Sequence, residues 1–296
     1  MKDKEYKLNI DPRILELLGP SLYTTIYYVL AELIANAYDA DAKNVYIIDN
    51  NDDITVEDDG RGMSYQHGEI EKYLNVAAVS RTTNDDSLTV LKRRKMGRKG
   101  VGKLAALSVS ENVLIKTISG KEKSGFVLSR HIADNNLLTP IREEDISFEK
   151  INEHGTAVVM QKPQYKLHSS LSAIRRNLLK IFPLVNEDFV IHIVRENETV
   201  DIDSFDKEII SQLSALIVLG EEFKYLENDF VPQFSNNKDD LMEIRDVKSL
   251  PIKLRDNSGR ERDFNIEIKG WIGTYKSTRG RKAELTDFPD NFISLY

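Results

Sequence analysis

The sequence predicts an α+β protein built as a two-layer α/β sandwich and followed by a small, truncated α/β domain. Three observations support this fold class. An amphipathic helix precedes a hairpin of short β-branched strands, helices and strands continue to about residue 200, and the pattern restarts with a helix after Asp201. We therefore expect a first domain over residues 1–200 and an incomplete second domain over residues 201–296.

The first domain opens with a helix over Leu22–Ala40, where apolar residues recur at three- and four-residue spacing. The runs Val45–Ile48 and Ile54–Val56 predict a hairpin, since a polar stretch joins them. The later elements are a helix through Ile70–Ala77, a short buried helix over Leu104–Val109, strands over Val113–Ile118, Ser124–Ser129 and Thr156–Gln161, a helix over Leu171–Ile181 and a strand over Phe189–Val194.

The second domain is predicted to contain a helix over Lys207–Leu219 and strands over Pro251–Arg255 and Phe264–Gly273. The sequence ends in an apolar, strand-like run, Phe292–Tyr296, with no polar tail. We therefore expect the chain to be part of a longer protein.

The composition, 41% hydrophobic and 30% charged, is that of a soluble globular protein, and we expect it to be cytoplasmic and to make no membrane contact. The sequence has no cysteine, which excludes disulfides, thiolate chemistry and cysteine-based zinc sites. A net charge of −7 argues against a surface that holds DNA by charge alone.

One basic run departs from this acidic average. Within twelve residues free of acid stand Lys92, Arg93, Arg94, Lys95, Arg98, Lys99 and Lys103. By itself such a run is typical of a solvated surface loop, and contact with a nucleic acid is the next interpretation. Glycines inside the run favour a third, a loop that binds phosphates.

Three polar residues share one face of the first helix: Glu32, Asn36 and Asp39. On a face that should be core, they cost several kcal/mol unless something pairs with them. A carboxylate that activates water and an amide oxygen that binds Mg²⁺ would supply a reason. The alternative is the ordinary solvent stripe of a surface helix.

The second motif, Asp58-Asp59-Gly60-Arg61-Gly62-Met63, directly follows a strand. A carboxylate at a strand end can accept a hydrogen bond from an exocyclic amine such as adenine N6, and glycines let the backbone approach a flat ring. An Asp-Gly turn with no ligand has the same sequence.

The third motif, Gly97-Arg98-Lys99-Gly100-Val101-Gly102-Lys103, opens a helix. Glycines before a helix N-terminus form an anion cradle. A dinucleotide-binding Rossmann fingerprint is excluded, because a basic loop and not a first strand precedes the glycines. A Walker P-loop is excluded because no G-K-[ST] occurs.

The fourth motif is Gly155-Thr156, which opens a strand and is by itself only β propensity. The four motifs together, in this order, resemble the GHKL superfamily over residues 20 to 200. This superfamily includes gyrase B, MutL, MORC proteins and ninety-kilodalton heat-shock chaperones. The resemblance implies the Bergerat ATP-binding fold, with ATP and Mg²⁺ as cofactors.

The resemblance also implies a role for each site residue. Glu32 would be the general base, Asn36 the Mg²⁺ ligand and Asp39 a support of the nucleotide pocket. Asp58 would bind adenine N6, with Thr156 helping through a water. The remaining nucleotide contacts would come from Gly60, Gly62, Met63, Gly97, Arg98, Lys99, Gly100, Val101, Gly102 and Lys103, under a mobile lid of about Ser80–Lys99.

Within the superfamily, a carboxylate at Glu32 favours hydrolysis over the phosphotransfer of histidine kinases, because water needs a base. In gyrase B, MutL and MORC-like proteins a second, transducer domain sends a lysine to the γ-phosphate. Lys276 is the first candidate here and Lys282 the second, with a solvated basic loop as the alternative. The motif wording is most similar to MORC and heat-shock-type ATPases.

The resemblance further implies an ATP-dependent homodimer. The segment Lys2–Leu18 is rich in apolar residues, and no partner strand for it is identifiable in the sequence. We expect two copies to exchange it, with packing on its own domain as the alternative. The protein would be an ATP-operated clamp on DNA or a DNA-processing protein, or a chaperone-like ATPase acting on protein clients.

Overall fold

The computed structural model describes residues 4–10, 25–75, 88–93, 95–96, 102–131, 136–182, 185, 188–203, 213–224, 226–230, 242–246, 248–255 and 259–275. The chain divides into two compact units, Met1–Phe205 and Asp206–Tyr296. Within the described ranges, no helix is long and apolar enough to cross a membrane.

The first unit is built on one large sheet. Its elements are β1 (Tyr6–Lys7), α1 (Ile26–Asp39), β2 (Asn44–Asp49), β3 (Asp53–Asp58), α2 (Glu69–Leu74), a 3₁₀ helix (Gly102–Ser108), β4 (Asn112–Ser119), β5 (Glu122–Ser129), β6 (Leu137–Pro140), a 3₁₀ turn (Glu143–Asp145), β7 (Gly155–Gln161), α3 (Leu171–Ile181), β8 (Val190–Arg195) and β9 (Glu198–Ile202). The strands lie in the order β1-β6-β5-β4-β7-β3-β2-β8-β9. Neighbours are antiparallel, except that β2 and β8 run parallel.

One face of this sheet carries the core. On β3, Ile54 and Val56 join the buried cluster together with α1, α3 and the 3₁₀ helix. The period of two along a strand then places Asp58 on the same face as Ile54 and Val56. The two-layer α/β sandwich predicted from the sequence is confirmed, and its core face ends at a carboxylate.

The N-terminal segment packs on its own domain. Tyr6–Lys7 pairs antiparallel with Leu137–Leu138, and Tyr6, Leu8 and Ile10 are buried. The expectation that this segment has no partner strand is wrong, because Leu137–Pro140 forms a short strand that the sequence pattern did not reveal. Residues 11–18 lie outside the described residues.

The second unit contains a small sheet and a separate hairpin. Its strands and helices are β10 (Leu213–Leu219), a 3₁₀ turn (Glu221–Phe223), α4 (Leu226–Phe230), β11 (Met242–Arg245), β12 (Lys248–Arg255), β13 (Glu261–Ile268) and β14 (Gly270–Tyr275). Described strands lie in the order β11-β10-β14, and β12 pairs with β13.

Two predictions for this unit need correction. The predicted helix Lys207–Leu219 is wrong over its described part, because Leu213–Leu219 is the central strand of the sheet. A short apolar run fits a buried strand as well as a helix, and pairing on both sides selects the strand. The predicted strand Phe264–Gly273 is two strands, which separate at Lys269.

The packing of the N-terminal segment can be tested by Leu8→Ala. Leu8 is fully buried, so the substitution should lower the free energy of unfolding of the first unit by about 2–5 kcal/mol. Denaturant unfolding at a dilution that keeps the protein monomeric measures the effect. Lys7→Ala, on an exposed neighbour, is the control and should change little. Equal stability of Leu8→Ala and the wild type would show that the segment does not pack on its own domain.

Candidate functional site

Three polar residues stand in a row across the core face of the sheet. Strand pairing aligns Asp58 of β3 with Thr156 of β7, and Thr156 with Thr117 of β4. Thr117 is completely buried, and its hydroxyl donates to the Gly155 carbonyl at 3.0 Å and lies 3.3 Å from the Thr156 hydroxyl. The row therefore forms a polar end to an otherwise apolar layer.

Asp58 is a buried carboxylate whose described contacts are hydrogen-bond donors of the backbone. Its Oδ1 accepts from the Gly60 N–H at 2.9 Å, and the Thr156 N–H also donates to the carboxyl group. Burial raises the pKa of Asp58 to about 7, although these two N–H groups act in the opposite direction. The side chain is thus an acceptor held inside the domain at considerable electrostatic cost.

The adjacent Asp59 has a different task. Its Oδ1 accepts from the N–H groups of Lys43 and Asn44 at 2.7 and 2.8 Å, and its Oδ2 accepts from the Asn44 side-chain amide at 2.7 Å. These bonds join the end of β3 to the start of β2. Asp59 is therefore a structural residue, and Asp58 is the one that faces the core.

The glycine turn after β3 lies between α1 and the row of polar residues. Gly60 contacts Ala40 at the C-terminal end of α1. Gly62 has a φ of 67°, and a Cβ there would collide with the Ile118 carbonyl, so only glycine fits. The Met63 N–H donates to the Thr117 hydroxyl at 2.8 Å.

Thr117 thus joins the glycine turn to Gly155, and sequence reasoning missed it. The signal was present in β4, where Val113, Ile115 and Thr117 alternate on the core face and the third is polar. Threonine is common in strands, so the sequence alone gave no reason to select it.

The polar face of α1 is covered by other parts of the domain. Glu32, Asn36 and Asp39 are each half-buried. A Cβ on Gly102 would collide with the Glu32 carboxylate, so the start of the 3₁₀ helix lies directly against it. One Asp39 oxygen accepts from the Met96 N–H at 2.8 Å. Glu32 and Asp39 therefore each contact another part of the domain.

Several predicted site residues cannot be placed. Those outside the described residues are Gly97, Arg98, Lys99, Gly100, Val101 and Lys276, as is most of the predicted lid. Lys103 lies in the 3₁₀ helix. Residues 88–93 and 95–96 of the predicted lid are described, and among them the N–H groups of Val90 and Leu91 donate to Asp41 and that of Met96 donates to Asp39.

A cavity of about 220 Å³ opens on the other face of the sheet. Its lining includes Thr55, Glu57, Lys116 and Glu149. Glu57 precedes Asp58 on β3 and therefore points away from the core; its carboxylate accepts from the Glu149 and Lys150 N–H groups at 2.8 and 2.9 Å. This cavity contains none of the predicted site residues.

The sequence is similar to several known proteins. Residues 23–156 match the family of histidine kinase-, DNA gyrase B- and HSP90-like ATPases. A putative type II restriction enzyme, HgiDII of Herpetosiphon aurantiacus, is 26% identical over 278 residues, which cover 93% of this chain and 42% of that protein.

Two chaperone proteins named HtpG are also similar. The one from Halalkalibacterium halodurans is 29% identical over 174 residues, covering 50% of this chain and 27% of the relative. The one from Chlorobium phaeobacteroides is 28% identical over 261 residues, covering 78% and 39%. The chain therefore spans less than half the length of each of these three relatives.

The buried carboxylate predicts a characteristic pH dependence of stability. Because the pKa of Asp58 in the folded protein, about 7, lies above its unfolded value, the native state binds the proton more tightly. Its contribution to stability is complete below pH ~4 and is lost as the pH rises through about 7. The amide side chain of Asp58→Asn does not titrate. As the pH rises over this range, the free energy of unfolding of the variant should therefore increase relative to that of the wild type by up to roughly 4 kcal/mol.

Urea unfolding of both proteins between pH 4.5 and 8 measures the difference. Asp52→Asn, the same chemical change on an exposed residue of the turn between β2 and β3, serves as the control. A constant difference between Asp58→Asn and the wild type across the range would show that Asp58 is not held in its protonated form by burial.

Proposed function

We propose that the protein binds ATP with Mg²⁺ and hydrolyses it, because residues 23–156 match the family of histidine kinase-, DNA gyrase B- and HSP90-like ATPases, which belong to the GHKL superfamily. The adenine would sit at the polar end of the core face, beside Asp58. The phosphates would extend along the polar face of α1 towards Glu32.

The observation that supports the proposal most is the burial of Asp58 without a side-chain cation among its described contacts. The N–H groups of Gly60 and Thr156 occupy two of the roughly four acceptor sites of the carboxylate, which leaves capacity for a further donor. The exocyclic amine of adenine is such a donor, and accepting from it would favour the ionised carboxylate. Thr117 and Thr156 beside it would bind the same ring edge directly or through water.

The residues of α1 fit the phosphate end. Asn36 offers an amide oxygen and lies one turn from Glu32 and about one turn from Asp39, so oxygen donors suited to Mg²⁺ share one face. When bound with ATP, Mg²⁺ would neutralise part of the phosphate charge, and it commonly keeps several waters besides one or two protein ligands.

Glu32 is proposed as the general base. Its carboxylate lies against Gly102, where the 3₁₀ helix begins, and the phosphate-binding motif ends at the same residue. A half-buried carboxylate at this position can accept a proton from an attacking water as the water oxygen bonds to the γ-phosphorus and the bond from that phosphorus to the bridging oxygen breaks, so that ADP leaves. Asp39, which accepts from the Met96 N–H, would hold the chain that leads into the motif.

We further propose that ATP drives dimerisation of an ATP-operated clamp serving DNA processing. Similarity to a protein named as a restriction enzyme, over most of this chain, supports the connection to DNA. Exchange of the N-terminal segment would have to break the pairing of β1 with β6. The similarity to HtpG supports a second candidate, a chaperone-like ATPase acting on protein clients.

Two variants test ATP binding and hydrolysis, because one should lose binding and the other should lose only turnover. Asp58→Asn places an amide donor against the N6 donor of adenine and should lose measurable binding of adenosine, at a cost of about 1–3 kcal/mol or more. Glu32→Ala should keep binding and lose turnover by roughly 10²–10⁴-fold. Calorimetric titration with adenosine and a phosphate-release assay measure the two effects.

Asp52→Asn is the matched control for Asp58→Asn, because it makes the same chemical change on an exposed residue before β3 and should retain binding. Wild-type affinity in Asp58→Asn would refute the adenine assignment. Wild-type turnover in a Glu32→Ala protein that binds ATP would refute the assignment of Glu32 as the base.

A further inference from the structure

Arg93 belongs to the basic run whose glycines favour a phosphate-binding loop. Its guanidinium group, however, is hydrogen-bonded to carbonyl groups of its own domain. Its two terminal nitrogens donate to the carbonyls of Ala42 and Asp188, the latter at 2.7 Å. The group also lies 4.8 Å from the centre of the Tyr38 ring and 5.4 Å from that of Phe189. Such a guanidinium is fixed by both its donors and its flat face.

The residues before Arg93 form a closed turn. The Thr89 N–H donates to the Arg93 carbonyl at 2.8 Å, and the Arg93 N–H donates to the Thr89 hydroxyl at 3.1 Å. Asp41, directly after α1, accepts from the N–H groups of Val90 and Leu91 at 3.0 and 3.3 Å. The turn is therefore clamped to the connection between α1 and β2 at two points.

This clamp lies close to the phosphate end of the proposed site. Met96 follows Arg93 by three residues, and its N–H donates to Asp39 on α1. Three residues reach at most about 11 Å, so the position of Arg93 limits where Met96 can lie. Met96 directly precedes the glycine motif that the sequence assigns to the phosphates.

We propose that Arg93 is a positioning residue for the phosphate end of the nucleotide site and not a residue that attracts phosphate by its charge. The inference rests on the proposed ATP site. Arg93 ties the turn 89–93 to the base of α1 and thereby holds Met96 against Asp39. Loss of this anchor lowers the fraction of molecules whose phosphate end is ready to bind, and apparent affinity falls by that fraction.

The experiment compares two ligands in Arg93→Lys. Lysine keeps the charge but has no planar group that could bridge the two carbonyls while packing between the two rings. Calorimetry with adenosine reports the adenine end, and a non-hydrolysable ATP analogue reports both ends. We expect adenosine affinity to stay within about twofold of the wild type and analogue affinity to fall about tenfold, as a tenfold drop in the competent fraction requires.

Arg195→Lys is the matched control. Arg195 likewise donates to two backbone carbonyls, of His168 and Ser169, and pairs with Asp49. Arg195→Lys should lower the free energy of unfolding for the same reason, but it should not selectively weaken binding of the ATP analogue. Asp41→Asn is a milder second variant, for use if Arg93→Lys does not fold, because it weakens the clamp and leaves the guanidinium in place.

Three results would overturn the inference. If Arg93→Lys binds the analogue like the wild type, charge alone explains Arg93. If adenosine and analogue weaken equally, or if Arg195→Lys shows the same selective loss, the effect is one of general stability. Failure of the proposed ATP site would be seen separately, because the wild type would then not bind adenosine.

Discussion

The site depends on one costly arrangement, a carboxylate buried at the end of an apolar core face. Asp58 receives N–H groups from Gly60 and Thr156, but burial outweighs them and its pKa rises to about 7. A buried polar group of this kind is expensive unless its hydrogen bonds are completed. The surrounding structure keeps it in place: Asp59 ties down the turn, and Thr117 joins that turn to β7. We interpret the cost as the preparation of an acceptor that a ligand completes.

The periodicity of the sequence predicted most of the first unit, because its helices and strands bury one face each. Errors arose where local pattern and tertiary pairing give different answers. Leu213–Leu219 is apolar at spacings that fit both a helix and a buried strand, and only its pairing with β11 and β14 decides. The segment Tyr6–Lys7 is too short for its sequence to predict a strand, and its partner strand is only four residues long. In both cases the partner strand is distant in the sequence, as for Tyr6 and Leu138.

For the site, the spacing of residue types identified the polar face of α1 and the glycine turn, since both are local patterns. The resemblance selected Asp58 over Asp59, but the physical reason lies in the strand register, which decides which carboxylate faces the core. The same limit explains the omission of Thr117. Arg93 was grouped with its basic neighbours because charge in a sequence carries no information on whether a guanidinium reaches a ligand or two backbone carbonyls of its own domain.

The most direct test of the account is the number of protons released when adenosine binds at pH 7. Calorimetric titrations in two buffers with different ionisation enthalpies give this number, and adenosine has no phosphate that titrates in this range. A pKa of about 7 in the free protein, lowered by a donor from the ligand, predicts a release of about half a proton. Binding without proton exchange, or with proton uptake, would contradict the claim that adenine completes the hydrogen bonds of a buried Asp58.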